Sequence, residues 1–470
     1  MSPVFTYLGY AYMPFAALAL VLMFWRPIFA LVFLAAIFPL DVVSPRLGVP
    51  GVNTETILLL SALAVTVLRF GARLPPLRYS GPVIAFIVIM GIGFVVSLPW
   101  ARNISVMGTE PAIWYTFKHW KSTTFSTLFF FATYWWFSRP EDRQLMLEAL
   151  SIGTLLSAVI ALADFMFALT TNGAEGRATG LQGDPNGTAC AVGAMMFVSL
   201  YLAFWARDLS FTRRAIHLGT YVLSFLVVVL SLSRGNYLAL VLAHLAFFAL
   251  MNRPLLYASL ATLALFSTVA FPLLPKVIRE RIEFTVSGGT GYRVAGAEYL
   301  EVSTAQRLVL AKTGLDMFKT SPIWGRGLNF FFFRTPEFSA KYGSLEQRDA
   351  HNLLIKVGVE MGMIGIGTLL WLWWAVFRCG RRLWRADTVD YQLGAVLLGA
   401  GAHVLIASFS TNSFLTTSQI SSYFWIVFGM SARASVEWVS VRAEAPAPSA
   451  LTVGRWRRFS QRPTAAASQL

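Results

Sequence analysis

The sequence predicts an all-α, polytopic integral membrane protein of about twelve transmembrane helices, interrupted by one long helical loop. Three observations carry that expectation. The 470 residues are 56% hydrophobic and only 13% charged, with a mean hydropathy of +0.61, far from the usual mix of a soluble domain. Apolar runs approaching the ~20 residues needed to cross the hydrocarbon recur along most of the chain. Between two of them stands a polar stretch, 274–350, of roughly 75 residues, far longer than ordinary helix–helix connections.

Taken in order, the candidate spans are 7–25, 27–43, 54–70, 81–98, 122–137, 144–169, 186–206, 215–232, 235–251, 254–273, 352–377, 391–409 and 419–430. Several are short, and the first two and last two also read as hairpins or re-entrant segments, so the count is twelve or thirteen. The chain thus divides into N-terminal membrane helices (1–273), a loop domain (274–350), C-terminal membrane helices (351–435) and a tail (436–470). An Ala, Pro and Ser composition from 445 onward predicts a disordered end. No cleavable leader is expected, because the first apolar run lacks a basic start and meets Pro27 and a second apolar run.

The formal net charge of +15, with a pI near 10.1, reads as positive-inside loops and contact with anionic headgroups. Arg69, Arg73 and Arg78 share one loop, Arg139 and Arg143 a second, Arg207, Arg213 and Arg214 a third, and Arg378, Arg381, Arg382 and Arg385 a fourth. Their alternation puts all four on one side, taken as cytoplasmic, together with the basic tail from Arg433. The 274–350 loop then faces the periplasmic or extracellular side. Nucleic-acid binding is disfavoured, since the basic residues are scattered between apolar spans. Cys190 and Cys379, both in apolar surroundings, suggest neither a disulfide framework nor a metal site. No nucleotide-binding glycine loop and no Gly-x-Ser-x-Gly elbow occurs in a usable context.

Within the long loop, 303–318 has a helical look: Leu308, Leu310, Ala311, Leu315 and Phe318 fall near one face, with Ser303 or Thr304 as cap. Gly288-Gly289-Thr290-Gly291 and Gly325-Arg326-Gly327 read as flexible breaks around it. A second outer connection, 170–185, ends in Gly183-Asp184-Pro185-Asn186, a helix start with Asp184 as cap and proline first. A third, 99–121, mixes Trp100, Trp114, Tyr115 and Trp120 with Arg102, Lys118 and Lys121, as a segment lying in the membrane interface does.

The candidate chemistry gathers at one face. His351, in Asp349-Ala350-His351-Asn352, stands where the loop turns into a long apolar helix, and an imidazole takes or gives a proton near neutrality. It reads otherwise as an ordinary residue of a helix start. His119 competes with it but belongs to the aromatic belt. Arg234 interrupts apolar sequence with almost no loop, and an arginine near membrane depth faces a polar cavity or an anion, or else snorkels from a turn. Gly235 and Asn236 beside it let the backbone turn closely and offer amide donors to an anion. Arg307, Arg326 and Arg348 lie in the long loop, where guanidinium forks suit phosphate oxygens, though a solvated charged face is the plainer account for those other than Arg307. Lys356 and Glu360 read as an ion pair, and Asp164 as a further acid near a span. Gly358, Gly362 and Gly365 give a narrow packing face. His244 and His403 read as packing residues.

These pieces, Asp184-Pro185-Asn186, Ser233-Arg234-Gly235, the loop helix around Arg307, and His351-Asn352 followed after nine residues by Gly362 and then Gly365, in that order around a long outer loop, resemble the O-antigen ligase and polymerase superfamily. The histidine–asparagine–nine–glycine arrangement is most similar to the ligases. The resemblance implies a GT-C-like, metal-independent, inverting glycosyltransferase of the bacterial inner membrane. Its donor would be an undecaprenyl-diphosphate-linked glycan and its acceptor, for a ligase, the lipid A-core oligosaccharide; a polymerase would extend a lipid-linked repeat, and a protein O-oligosaccharyltransferase would use a Ser or Thr hydroxyl. It implies no cofactor and no nucleic-acid partner. His351, Arg307 and Arg234 would be catalytic, with Asn352, Arg326 and Arg348 also binding substrate. A lipid-linked glycan carrier is the competing class, but a carrier should place charge through the bilayer rather than at one face.

Overall fold

The computed structural model describes residues 3–43, 54–70, 77–102, 104–106, 110–172, 177–180, 183–251, 253–265, 279, 302–386, 391–416 and 418–444. Nearly all of them are helical. The N-terminal helices are α1 (Pro3–Trp25), α2 (Pro27–Ile37, continued by a tight turn Phe38–Val43), α3 (Thr54–Phe70), α4 (Ser80–Ala101) and α5 (Ala112–Trp136). They continue as α6 (Pro140–Asn172), α7 (Pro185–Phe204), α8 (Phe211–Leu230), α9 (Arg234–Met251) and α10 (Arg253–Leu265). Then come α11 (Val302–Thr320), α12 (Phe330–Ser339), α13 (Leu353–Trp384), α14 (Tyr391–Ala407), α15 (Ser413–Thr416) and α16 (Ser418–Glu444). A two-residue antiparallel pairing, Ser105 with Pro111 and Val106 with Glu110, is the strand structure among the described residues.

Every expected span coincides with a helix, although 266–273 lies outside the described residues. Six helices are long and apolar enough to cross a membrane among those described: α4, α6, α7, α8, α9 and α13. The chain is therefore a multi-pass integral membrane protein. One correction falls at the C-terminus, where α16 runs on to Glu444, so 436–444 is helix rather than tail. Residues 445–470, and the Gly288–Gly291 break, lie outside the described part.

The centre of the bundle is α7, buried along nearly its whole length and packed on by α6, α8 and α14. A helix apolar on every side belongs in an interior. The basic loops collect at one end of the helices. Arg143 pairs with Glu437 at 2.9 Å, the Gln144 amide donates to the Arg207 carbonyl at 3.4 Å, the Arg78 N–H donates to Tyr134 Oη at 3.3 Å, and the Trp384 indole donates to the Leu250 carbonyl at 2.8 Å.

At the opposite end the loop helices α11 and α12 dock on the bundle. The buried stripe of α11 is Ala305, Val309, Leu310, Thr313 and Met317, a rotation from the expected face: Leu315 is 55% exposed. Small residues decide this, because Gly314 lets Ile355 and Phe331 approach where a larger side chain would stand. The 99–121 belt is a platform for α12 as well as an edge. Tyr115 stacks on Phe332 at 5.5 Å, and Trp100 meets Phe330 and Phe333 at 5.7 Å. Trp114 stays exposed.

The loop is locked to α13 by a backbone junction. Gly362 breaks α13 with φ 64 and ψ −162, so it is a helix break rather than part of a narrow packing face. Such a break frees carbonyls before it and N–H groups after it, which cost free energy unless paired. The stretch 322–327 pairs them. Arg326 and Gly327 donate to the Val359 and Glu360 carbonyls at 2.9 Å each, and Met363 and Ile364 donate to the Pro322 and Ile323 carbonyls at 2.8 and 3.4 Å. Gly325-Arg326-Gly327, expected to be a flexible break, is thus a tightly docked segment: a Cβ on Gly325 would lie 2.3 Å from the Glu360 carbonyl carbon.

A Cβ on Gly362 would fall 2.2 Å from the Ile323 oxygen at a positive φ. Gly362→Ala is therefore expected to destabilise the fold by about 1–3 kcal/mol or more, lowering the thermal unfolding midpoint of detergent-purified protein. An unchanged midpoint would show that the break is not constrained in this way.

Candidate functional site

Three helices begin at the same place. α7 starts at Pro185, α9 at Arg234 and α13 at Leu353, and the unpaired N–H groups and dipoles of helix starts favour negative charge. Between these starts and α11 lies a cavity of about 160 Å³. Four guanidiniums line it, from Arg177, Arg234, Arg307 and Arg348, together with Asn186, Ser233, Gln306 and His351.

Local chemistry explains how most of them are held. Asp184 caps α7 by accepting from the Asn186 and Gly187 N–H groups, at 3.0 Å each, as the Asp-Pro signature predicts. Arg177 donates from Nε to the Ser231 carbonyl at 2.8 Å. Asn236 ties α9 to α7 by donating to the Asn186 carbonyl at 3.1 Å and to Ser233 Oγ at 2.9 Å. Gly235 serves a close approach, since a Cβ there would stand 1.6 Å from Ser410 Oγ. Arg234 reaches α11, donating from Nη1 to Thr304 Oγ1 at 3.2 Å. Arg348 donates to Gln306 Oε1 at 3.0 Å and pairs with Glu346.

His351 sits in the left-handed backbone region, with φ 48. Outside glycine that conformation costs of order 1–3 kcal/mol, and although histidine is among the residues enriched there, its surroundings must hold it. They do so from both sides. After it, Asn352 caps α13 by accepting from the Ile355 N–H at 3.1 Å while its own amide donates to the Phe409 carbonyl at 3.0 Å. Before it, both oxygens of Asp349 accept from Lys356 Nζ, at 3.0 and 3.1 Å. The same amine donates to Glu360 Oε1 at 2.9 Å, with Lys356 and Glu360 both fully buried. The expected Lys356–Glu360 pair is thus a three-membered cluster, and it underlies the turn that presents His351.

Burial is the main cause of a His351 pKa below the ordinary value. Asp349 and Asp184 oppose that shift, and Arg307 and Arg348 reinforce it. The imidazole is therefore neutral at neutral pH and able to accept a proton. Burial acts to raise the Asp349 carboxyl, but the Lys356 charge and hydrogen bond and the Ala350 N–H outweigh it and hold the group ionised below the usual range.

Of the residues singled out in the sequence, Arg234, Arg307, Arg348 and His351 come together around the cavity. Two do not. Arg326 turns away and donates to Thr320 Oγ1 and the Thr320 carbonyl, at 3.0 Å each, closing the end of α11. Asn352 is outside the lining and acts as the helix cap. His119 lies apart, its ring nitrogens 2.6 Å from Asn329 Oδ1 and 3.0 Å from the Leu415 carbonyl. Asp164 accepts from the Thr179 N–H and hydroxyl, and His244 contacts the Leu240 carbonyl and Tyr221; both are built into the bundle. Arg177, Asn186 and Gln306 escaped the sequence reading. Gln306 is adjacent to Arg307, and Asn186 belongs to a motif read as a helix start and as part of the family resemblance, without a site role of its own; Arg177, in a polar connection, carried no distinguishing signal.

Residues 219–370 match a family model described as O-Antigen ligase. The matched stretch runs from within α8 to within α13 and contains Arg234, Gln306, Arg307, Arg348 and His351, while Arg177 and Asn186 precede it. The match supports the resemblance to the O-antigen ligase and polymerase superfamily. No curated protein matches the chain.

Removing the amine from the buried cluster leaves two carboxylates without their cation. Lys356→Met is expected to destabilise the protein by about 3–5 kcal/mol, seen as a lower unfolding midpoint, and Lys356→Met with Asp349→Asn and Glu360→Gln should recover much of it. A single variant as stable as the parent would remove the cluster from this role.

Proposed function

We propose that this chain, which carries the O-antigen ligase match over residues 219–370, transfers O-antigen polysaccharide from undecaprenyl diphosphate to the lipid A-core oligosaccharide at the periplasmic face of the bacterial inner membrane. The observation that carries the reading is the convergence of one neutral imidazole and four guanidiniums on a single cavity at the starts of three helices. Anion binding and proton abstraction are then available side by side. The basic loops collected at the far end of the bundle support a cytoplasmic position for that end, which leaves the cavity facing the periplasm. The loop domain 274–350 contributes Arg307 and Arg348 to it.

In the proposed reaction an acceptor hydroxyl attacks the anomeric carbon of the donor glycan while the bond from that carbon to the diphosphate oxygen breaks. Attack from the face opposite the leaving group inverts the anomeric centre. His351 takes the hydroxyl proton, and undecaprenyl diphosphate departs with the bonding electrons. Negative charge grows on the diphosphate, where Arg234 and Arg307, fixed in a partly buried cavity, stabilise it without reorganising. The guanidiniums provide charge neutralisation that needs neither ATP nor a divalent metal. Ligation rather than polymerisation is favoured by the spacing from His351-Asn352 to Gly362. Purified protein offered a long-chain lipid-linked donor with either lipid A-core or a lipid-linked repeat tests this: a ligase modifies the core alone, whereas elongation of repeats alone selects the polymerase.

Arg234→Ala and Arg307→Ala should each lower transfer by about 100- to 1,000-fold and weaken donor binding. Lysine should substitute poorly, having no planar fork. Full transfer by stable alanine variants would remove these residues from the site.

His351→Gln should cut turnover by about 100- to 10,000-fold while leaving donor affinity within a few-fold. In the parent enzyme activity should fall as pH drops through the His351 pKa, because the imidazolium cannot act as base. With that pKa below the ordinary value, the acid limb should lie below about pH 6.5 and be missing from the glutamine variant. An unchanged acid limb in His351→Gln would assign the proton to another group.

A further inference from the structure

The far end of α13 holds a second basic hollow, remote from the cavity just described. About 30 Å of helix separates Gly362 from Arg381 at the usual rise per residue. A space of about 510 Å³ lies there, between the start of α4 at Tyr79 and the last turns of α13. Arg378, Arg381, Arg382 and Arg385 line it, spaced so that all four share one face of the helix. Among the described residues, none that lines it is acidic. Among the described residues no carboxylate stands within ion-pairing distance of Arg378, Arg381 or Arg385, and all three are exposed.

Like charges one turn apart on a helix repel, and the helix dipole offsets this only within the last turn. An anion seated among the guanidiniums would relieve the repulsion. The wall on the membrane side is apolar: Trp374 and Phe377 stack at 5.7 Å and are 55% and 43% exposed. Tyr79 closes the opposite side in a left-handed backbone conformation, φ 66, which is uncommon for an aromatic residue and points to an imposed shape. Charged forks above exposed aromatic rings at the end of a membrane-spanning helix match a molecule with an anionic phosphate head and hydrocarbon tails.

We propose that this hollow binds an anionic glycerophospholipid of the surrounding bilayer, its phosphate among Arg378, Arg381 and Arg385 and its acyl chains along Trp374 and Phe377. The occupant is a membrane lipid rather than a soluble anion, because the aromatic wall gives a free phosphate nothing to contact. The site is independent of the transfer reaction, and its occupancy is measurable without any glycan substrate.

Native mass spectrometry of the full-length protein, mixed with phosphatidylglycerol, phosphatidylcholine or inorganic phosphate, tests it. One phosphatidylglycerol should be retained at least tenfold more than phosphatidylcholine, and inorganic phosphate should not displace it. Arg378→Gln/Arg381→Gln/Arg385→Gln should lose that retention at least tenfold. A control with the same loss of charge at the same end, Arg139→Gln/Arg207→Gln/Arg253→Gln, should keep it. The single variants Arg381→Gln and Trp374→Ala, each expected to show a partial loss, serve if the triple variant does not fold. Equal loss in the control, undiminished retention in the triple and single variants, or displacement by inorganic phosphate would each overturn the proposal.

Discussion

A buried lysine amine held between two carboxylates ties the site together. Lys356 reaches back to Asp349, which shapes the turn carrying His351, and forward to Glu360, which adjoins the break at Gly362. The carbonyl of Glu360 in turn accepts from Gly327 in the docked loop segment. One cation thus links the histidine turn, the first turns of α13 and the loop between α11 and α12. Placing a fully buried lysine and glutamate beside a half-buried aspartate is expensive unless they are mutually paired and hydrogen-bonded. Hydrophobic residues of similar size would stabilise the helix as well, but would leave the His351 turn without its anchor.

The same geometry explains why chemistry collects where it does. A membrane helix satisfies its backbone internally except at its ends, so helix starts are where donors remain free inside an apolar protein. α7, α9 and α13 bring three such starts to one cavity, and the long loop adds Arg307 and Arg348 from the other side. The loop cannot drift, because its backbone completes the hydrogen bonds that Gly362 releases. Fixed cations of this kind stabilise developing charge without having to move, the main source of electrostatic catalysis. At the other end of α13 three of the four arginines are exposed and face a wider hollow, an arrangement suited to holding a lipid rather than to transforming one.

Much of this was legible in the sequence, for physical reasons that differ from residue to residue. Helices in an apolar chain announce themselves by length, and the Asp184-Pro185 start by its capping chemistry. Arg234 stood out because an arginine amid apolar sequence requires a polar neighbour, and the cavity supplies one. Arg326 misled because a loop arginine looks the same whether it faces a cavity or closes a helix end. The glycines misled for a similar reason: 325 and 327 read as a flexible break and 362 as part of a narrow helix face, whereas the fold uses their missing side chains for close backbone contact. Leu315 faced outward because Gly314 beside it lets Ile355 and Phe331 approach, which sets the side of α11 that packs. Arg177 was hidden because its place depends on the Ser231 carbonyl, more than fifty positions along the chain.

The proposed reaction requires the arginine-lined cavity to hold the donor diphosphate beside His351. An electron cryomicroscopy structure with a bound, non-transferable analogue of the undecaprenyl-diphosphate-linked glycan tests it most directly. The diphosphate should lie within hydrogen-bonding reach of Arg234 and Arg307, with the first sugar next to the His351 ring. Density for the diphosphate elsewhere, with the Arg234–Arg307 cavity left to solvent, would contradict it.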